Sequence, residues 1–121
     1  MLIEVSNRNV TLDEKLREWV ERRLQFALGR FASRVRRVSV VFSDINGVRG
    51  GVDKKCRLRV VLIPDGEVIV EDTDASVESV IAMISERAAR SVARKLERRN
   101  DYHEQVERVV VLNTARFVGA R

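Results

Sequence analysis

The chain is poor in the residues that build covalent and metal frameworks. Its 121 residues include one cysteine, one histidine and one proline. A lone cysteine, Cys56, excludes an internal disulfide framework and a cysteine-built zinc site. A lone histidine, His103, leaves no second imidazole for a common metal site, and no cofactor is expected. One proline, Pro64, excludes a long proline-rich linker between domains. Aromatic residues make up only 5%: Trp19, Phe26, Phe31, Phe42, Tyr102 and Phe117. No apolar run approaches the ~18 residues of a membrane span, so no membrane partner is expected. The opening residues, Met1-Leu2-Ile3-Glu4-Val5, show neither a basic leader nor a small-residue cleavage site. The expected location is cytoplasmic.

What is present is charge and apolar periodicity. Hydrophobic residues make up 45%, charged residues 34%, and the net charge is +5 with a pI near 10.1. That balance describes a single globular domain with a heavily charged surface. The basic excess favours an anionic partner, but +5 alone is weak evidence for one.

Residues 1–6 alternate and read as a strand. Thr11-Leu12-Asp13-Glu14 has the pattern of a capping box, so a helix should follow. Leu12, Leu16, Trp19, Val20, Phe26, Ala27 and Phe31 recur at helical spacing as its apolar face. Arg36 to Phe42 reads as a strand with Val38, Val40 and Phe42 inward. Lys55 to Ile63 reads as another, with Cys56, Leu58, Val60 and Leu62 inward and Arg57 and Arg59 outward. Pro64-Asp65-Gly66 is a tight turn into a partner strand, Glu67 to Asp72. Asp74 or Ser76 should cap a long helix running to about Asn100. Beyond it lies a tail in which Val109 to Leu112 could form a strand without an evident partner. The order β-α-β-β-β-α implies a two-layer α+β domain over residues 1–102, with two helices on one face of a four-stranded, mostly antiparallel sheet. Residues 103–121 form the tail. The open sheet face should be solvated, with Arg37, Arg57 and Arg59 on it.

Catalysis finds little support. Cys56 sits mid-strand on the inward face and reads as a small hydrophobe. Asp72 and Asp74 fit capping better than an acidic site. No nucleophile–base set is visible for a hydrolase or nuclease, so no enzyme activity and no small-molecule substrate are expected. The glycine-rich loop 44–52 lacks the Gly-Lys-Ser/Thr of a phosphate-binding fingerprint. It is either a long hairpin connection or a pliable tip that brings Arg49 to a phosphate chain.

The last helix carries the sharpest signal. At about 100° per residue, Arg87, Arg90, Arg94 and Arg98 fall within an arc of about 80° that holds no acidic residue. Glu78, Glu86 and Glu97 lie elsewhere on the wheel, and Lys95 and Arg99 add charge near its end. Like charges so spaced repel, so folding stability does not favour the stripe and an external anion does; an ordinary solvated face is the alternative. From Asp101 to Arg121, by contrast, Arg108, Arg116 and Arg121 balance Asp101, Glu104 and Glu107. The first helix adds Lys15, Arg22, Arg23 and Arg30, and the next turn adds Arg34, Arg36 and Arg37. Such a surface suits nucleic-acid phosphates. With most aromatics assigned to the core, shape and backbone readout fit better than base readout.

The stretch Asn9-Val10-Thr11-Leu12-Asp13-Glu14-Lys15-Leu16-Arg17-Glu18-Trp19-Val20 resembles the opening helix of the ribosome hibernation-promoting factor and ribosome-associated translation inhibitor family, also called sigma-factor modulation proteins, in its short form. The resemblance continues through Arg30-Phe31, Val38-Ser39-Val40-Val41-Phe42 and the long helix Asp74 to Arg99, covering about residues 1–102. It implies a fold similar to double-stranded-RNA-binding domains. It also implies binding to small-subunit rRNA in the mRNA and tRNA channel, with idle ribosomes stabilised and translation blocked under stress. The implied rRNA-binding positions are Arg22, Arg23, Arg30, Arg87, Arg90, Arg94, Lys95 and Arg98, with Arg49 as a candidate loop contact. Three features depart from the family pattern: a longer glycine-rich loop, arginine where lysine is usual in the second helix, and a tail unlike the dimerisation domain of the long form. The alternative is a protein-interaction module that modulates transcription or self-associates through the tail or the outer sheet face, where Val61, Ile63 and Ile69 lie.

Overall fold

A computed structural model describes residues 1–45 and 54–119, with side chains through Arg99. The elements are β1 (Leu2–Arg8), α1 (Glu14–Leu28), a 3₁₀ turn (Gly29–Arg34), β2 (Val35–Asp44), β3 (Lys54–Leu62), β4 (Glu67–Asp74) and α2 (Val77–Gly119). They fall into two compact units, Met1–Ser91 and Val92–Arg121, and α2 begins in the first. Most of the loop 44–52, Arg49 included, lies outside the described residues.

The four strands form one sheet in the order β1-β2-β3-β4. β1 pairs parallel to β2, with Val5 beside Val40, and the two other pairings are antiparallel. A parallel pair needs a crossover, and α1 supplies it. The period of two then sorts the side chains: Val38, Val40, Phe42, Cys56, Leu58, Val60 and Leu62 are buried, as expected, and Val68 and Val70 join them from β4. The turn between β3 and β4 closes with Leu62 N–H donating to Gly66 O at 2.9 Å. Gly66 has φ 94°, a left-handed conformation that an L side chain resists. The Ile63–Pro64 peptide is cis.

The first helix departs from expectation in its start and its face. Its cap is Asp13, whose side chain accepts from Leu16 N–H at 2.7 Å, not Thr11. β1 runs to Arg8 and the chain reverses at Asn9, where φ is 56°; Asn7 Nδ2 donates to Val10 O at 2.6 Å across that turn. The reversal carries Thr11 past before helical geometry begins. The buried residues of α1 are Val20, Leu24 and Leu28. Leu12, Leu16, Trp19, Ala27 and Phe31 are half-buried, and Phe26 is 87% exposed. Counting Phe26 in the core drew the apolar arc too wide: at about 100° per residue it lies about 200° around the helix from Leu24. Arg17 anchors α1 to the strand, donating to Val5 O at 2.6 Å.

In the first unit α2 buries Val77, Val80, Ile81, Ile84 and Ala88 over the same sheet face that α1 covers. Ser76 caps it: its Oγ accepts from Ser79 N–H at 3.1 Å. Asp74 instead accepts from Ala75 N–H at 2.6 Å. The helix does not end near Asn100. It continues to Gly119, taking Val109 to Leu112 into helix rather than strand. No glycine or proline interrupts residues 67–118, so no backbone signal stops the helix before Gly119.

Candidate nucleic-acid interface

The basic residues divide by whether an acid meets them. On the open sheet face they are met: Arg37 Nε lies 3.7 Å from Glu4 Oε1, Arg57 Nε 3.7 Å and Lys55 Nζ 3.9 Å from Glu71 Oε1, and Arg59 Nε 2.6 Å from Glu67 Oε2. Cross-strand register produces these pairs, since Arg57 sits opposite Glu71 on β4. Each is solvent-exposed and adds little stability; together they set three carboxylates against four cations, and Arg8 on the same face has no partner among the described residues.

On the helices the pattern reverses. Among the described residues Arg22, Arg23, Arg90, Arg94 and Arg98 make no hydrogen bond or ion pair. Arg22 and Arg90 are exposed in the first unit, with Arg23 half-buried. Arg94 and Arg98 are exposed in the second unit, and Lys95 is half-buried there. Arg30 lies over its neighbour Phe31, its guanidinium carbon 4.6 Å from the ring centroid, a cation–π contact that leaves the N–H groups open. Arg87 of the same stripe differs: its Nη1 donates to Asp72 Oδ2 at 2.6 Å. The helical wheel shows the stripe free of acid along α2 but cannot show an acid arriving from β4. Of the turn residues, Arg34 ends the 3₁₀ helix half-buried, Arg36 is exposed beside the irregularity in β2, and Arg37 belongs to the sheet face.

The structure brings two of the expected residues together. Arg23 of α1 and Arg90 of α2 line one cleft with Phe26, Ala27, Ser85, Glu86 and Ala89, a space of about 290 Å³ within the first unit. Phe26 is the residue that sequence reasoning misplaced, and its wheel position was the available signal. Cys56 is buried, and burial pushes its thiol up to about 12, so it is a neutral core side chain with no nucleophilic character at ordinary pH. Among the described residues no group of three His, Cys, Asp or Glu could hold a metal ion. Among them, too, no helix is long and apolar enough to cross a membrane.

The fold is thus a two-layer α+β domain whose helices carry arginines with no acid partner among the described residues. The chain belongs to the family described as sigma 54 modulation protein / S30EA ribosomal protein, whose model matches residues 3–100. Two solved structures share the fold. A ribosomal subunit interface protein from Coxiella burnetii superposes with a TM-score of 0.67 at 14% identity, over 80% of this chain and 99% of that one. The N-terminal domain of Protein Y from Thermus thermophilus superposes with a TM-score of 0.63 at 26% identity, over 78% of this chain and 98% of that one. No curated protein matches the chain significantly in sequence. The family is one of ribosome-associated factors rather than of enzymes.

Proposed function

We propose that this chain is a cytoplasmic, non-enzymatic hibernation factor that binds small-subunit rRNA in the mRNA and tRNA channel and so silences idle ribosomes. Residues 1–102 act as the binding domain and 103–121 as an appended tail. The observation that carries the reading is the division of charge: Arg37, Arg57 and Arg59 on the open sheet face have carboxylate partners, and among the described residues Arg22, Arg23, Arg90, Arg94 and Arg98 have none. Unpaired arginine is the group best suited to phosphate, which it grips bidentately. Arg30 joins the same set, and Arg87, held by Asp72, and Lys95, which has a partner of its own, contribute when they exchange those partners for phosphate. Arg49 is the candidate contact from the glycine-rich loop.

Co-sedimentation with small subunits across a salt series tests this. The bound fraction should fall steeply with salt, as release of condensed counterions requires, and charge reversal at Arg90 and Arg94 should release the protein. Absence of binding even at low salt refutes the reading. A second reading, self-association or partner binding through the outer sheet face, draws on Ile63 and Ile69, which are 36% and 44% exposed. A strictly monomeric protein whose ribosome binding survives charge substitution of Ile69 argues against it.

A further inference from the structure

We infer that the cleft between α1 and the start of α2 receives an unpaired RNA base, stacked on Phe26, with the adjoining phosphates held by Arg23 and Arg90. This rests on the RNA-binding reading above and adds base contact to phosphate contact. A phenyl ring 87% exposed forgoes the stabilisation that burial would give it, and here it borders an open cleft that Ala27 and Ala89 also line. The cavity of about 290 Å³ lies at the lower end of the ~300–1,000 Å³ typical of small-ligand sites, so it suits one planar heterocycle. Its lining is apolar apart from Arg23, Arg90, Glu86 and Ser85. The two arginines make no hydrogen bond or ion pair among the described residues.

Glu86 decides between a phosphate and a base as the occupant. A carboxylate repels a phosphate inside the cleft, yet it accepts a hydrogen bond from the amino group of adenine, cytosine or guanine. Ser85 Oγ already donates to Ala82 O at 3.2 Å and has no second proton to offer. Glu86 is the one charged acceptor in the lining, and uracil, whose single ring donor N3–H lies between two carbonyl oxygens that a carboxylate repels, is the poorest match. Stacking on an aromatic ring tolerates any base, so the preference among bases comes from Glu86 and the affinity from Phe26.

Fluorescence anisotropy with the full chain tests this, using labelled single-stranded A-rich, C-rich and U-rich RNA and a duplex RNA with the same number of phosphates, all at low salt. Phe26→Ala should weaken single-strand binding about tenfold, leave duplex binding unchanged and leave the thermal midpoint near that of the parent. Phe26→Trp should bind like the parent, and Glu86→Gln should erase the disadvantage of the U-rich strand. Parent-like single-strand binding by Phe26→Ala or Phe26→Leu overturns the inference and leaves the RNA-binding reading standing. So does a Phe26→Ala variant that changes assembly mass in sedimentation without changing RNA affinity, which would assign the cleft to a second copy of the chain. A parent chain that binds neither RNA nor ribosomes defeats both.

Discussion

Asp72 on β4 holds Arg87 on α2 through a hydrogen-bonded ion pair of 2.6 Å, a contact that, among the described residues, sets Arg87 apart from Arg90, Arg94 and Arg98 of the stripe. Asp72 also accepts from Thr73 N–H at 2.8 Å through its other oxygen, so the carboxylate is fixed before Arg87 reaches it. With side-chain exposures of 44% and 33%, the pair is worth about 0–1 kcal/mol of stability. Its larger effect is on availability: a phosphate that takes Arg87 must displace Asp72.

Asp72→Asn should therefore tighten ribosome binding at low salt and steepen the dependence of log K on log salt by up to about one phosphate equivalent. Thermal stability should fall only slightly. Sedimentation over a salt series measures the first effect and a melting curve the second. An unchanged slope would mean that Arg87 stays out of the interface.

The two candidate caps of α1 can be told apart by stability alone. Asp13→Ala should cost about 1 kcal/mol, because the Leu16 N–H loses its acceptor. Thr11→Ala, two residues before the cap, should change stability by no more than about 0.5 kcal/mol, as for an ordinary surface site. Urea denaturation of both variants checks the contrast.

Cys56 supplies a pH signature. Its thiol is raised from 9.0 to about 12 by desolvation, so the folded chain keeps a proton that the unfolded chain loses near pH 9. The unfolded state binds fewer protons in that window, and stability falls as pH rises from about 9 towards 12, by about 1.4 kcal/mol per pH unit from this group alone. Below pH 9 the contribution is complete and flat. Cys56→Val should flatten the alkaline slope, and in the parent a thiol reagent at pH 8 should react at the rate of unfolding. Fast labelling of the folded chain would contradict the burial.

The sheet was almost wholly legible because its information is local and binary. Val38, Val40 and Phe42 alternate with polar neighbours, and one buried face accounts for every alternate side chain. Phe26 was not legible in the same way. Hydrophobicity argued for the core, and only the angular position opposed it. The length of α2 was hidden for a related reason: Val109 to Leu112 has strand propensity, and an uninterrupted helical backbone overrode it. Within the site, the wheel found the stripe, but the capture of Arg87 depended on where β4 ends, a tertiary fact with no one-dimensional trace. The basic cluster on the sheet face was visible as charge, and the pairing of Arg57 with Glu71 followed only from cross-strand register.

In the first unit, cations stand on both sides of the sheet, but only those on the sheet face share carboxylates; among the described residues Arg22, Arg23 and Arg90 on the helices have none. A polyanion is felt from a Debye length away, roughly 8 Å at physiological ionic strength, and that approach is indifferent to which face comes first. Contact then selects: a guanidinium with no bond to break offers all its donors at once, whereas one on the sheet must first release its carboxylate. Added salt would first slow the approach and only afterwards loosen the grip.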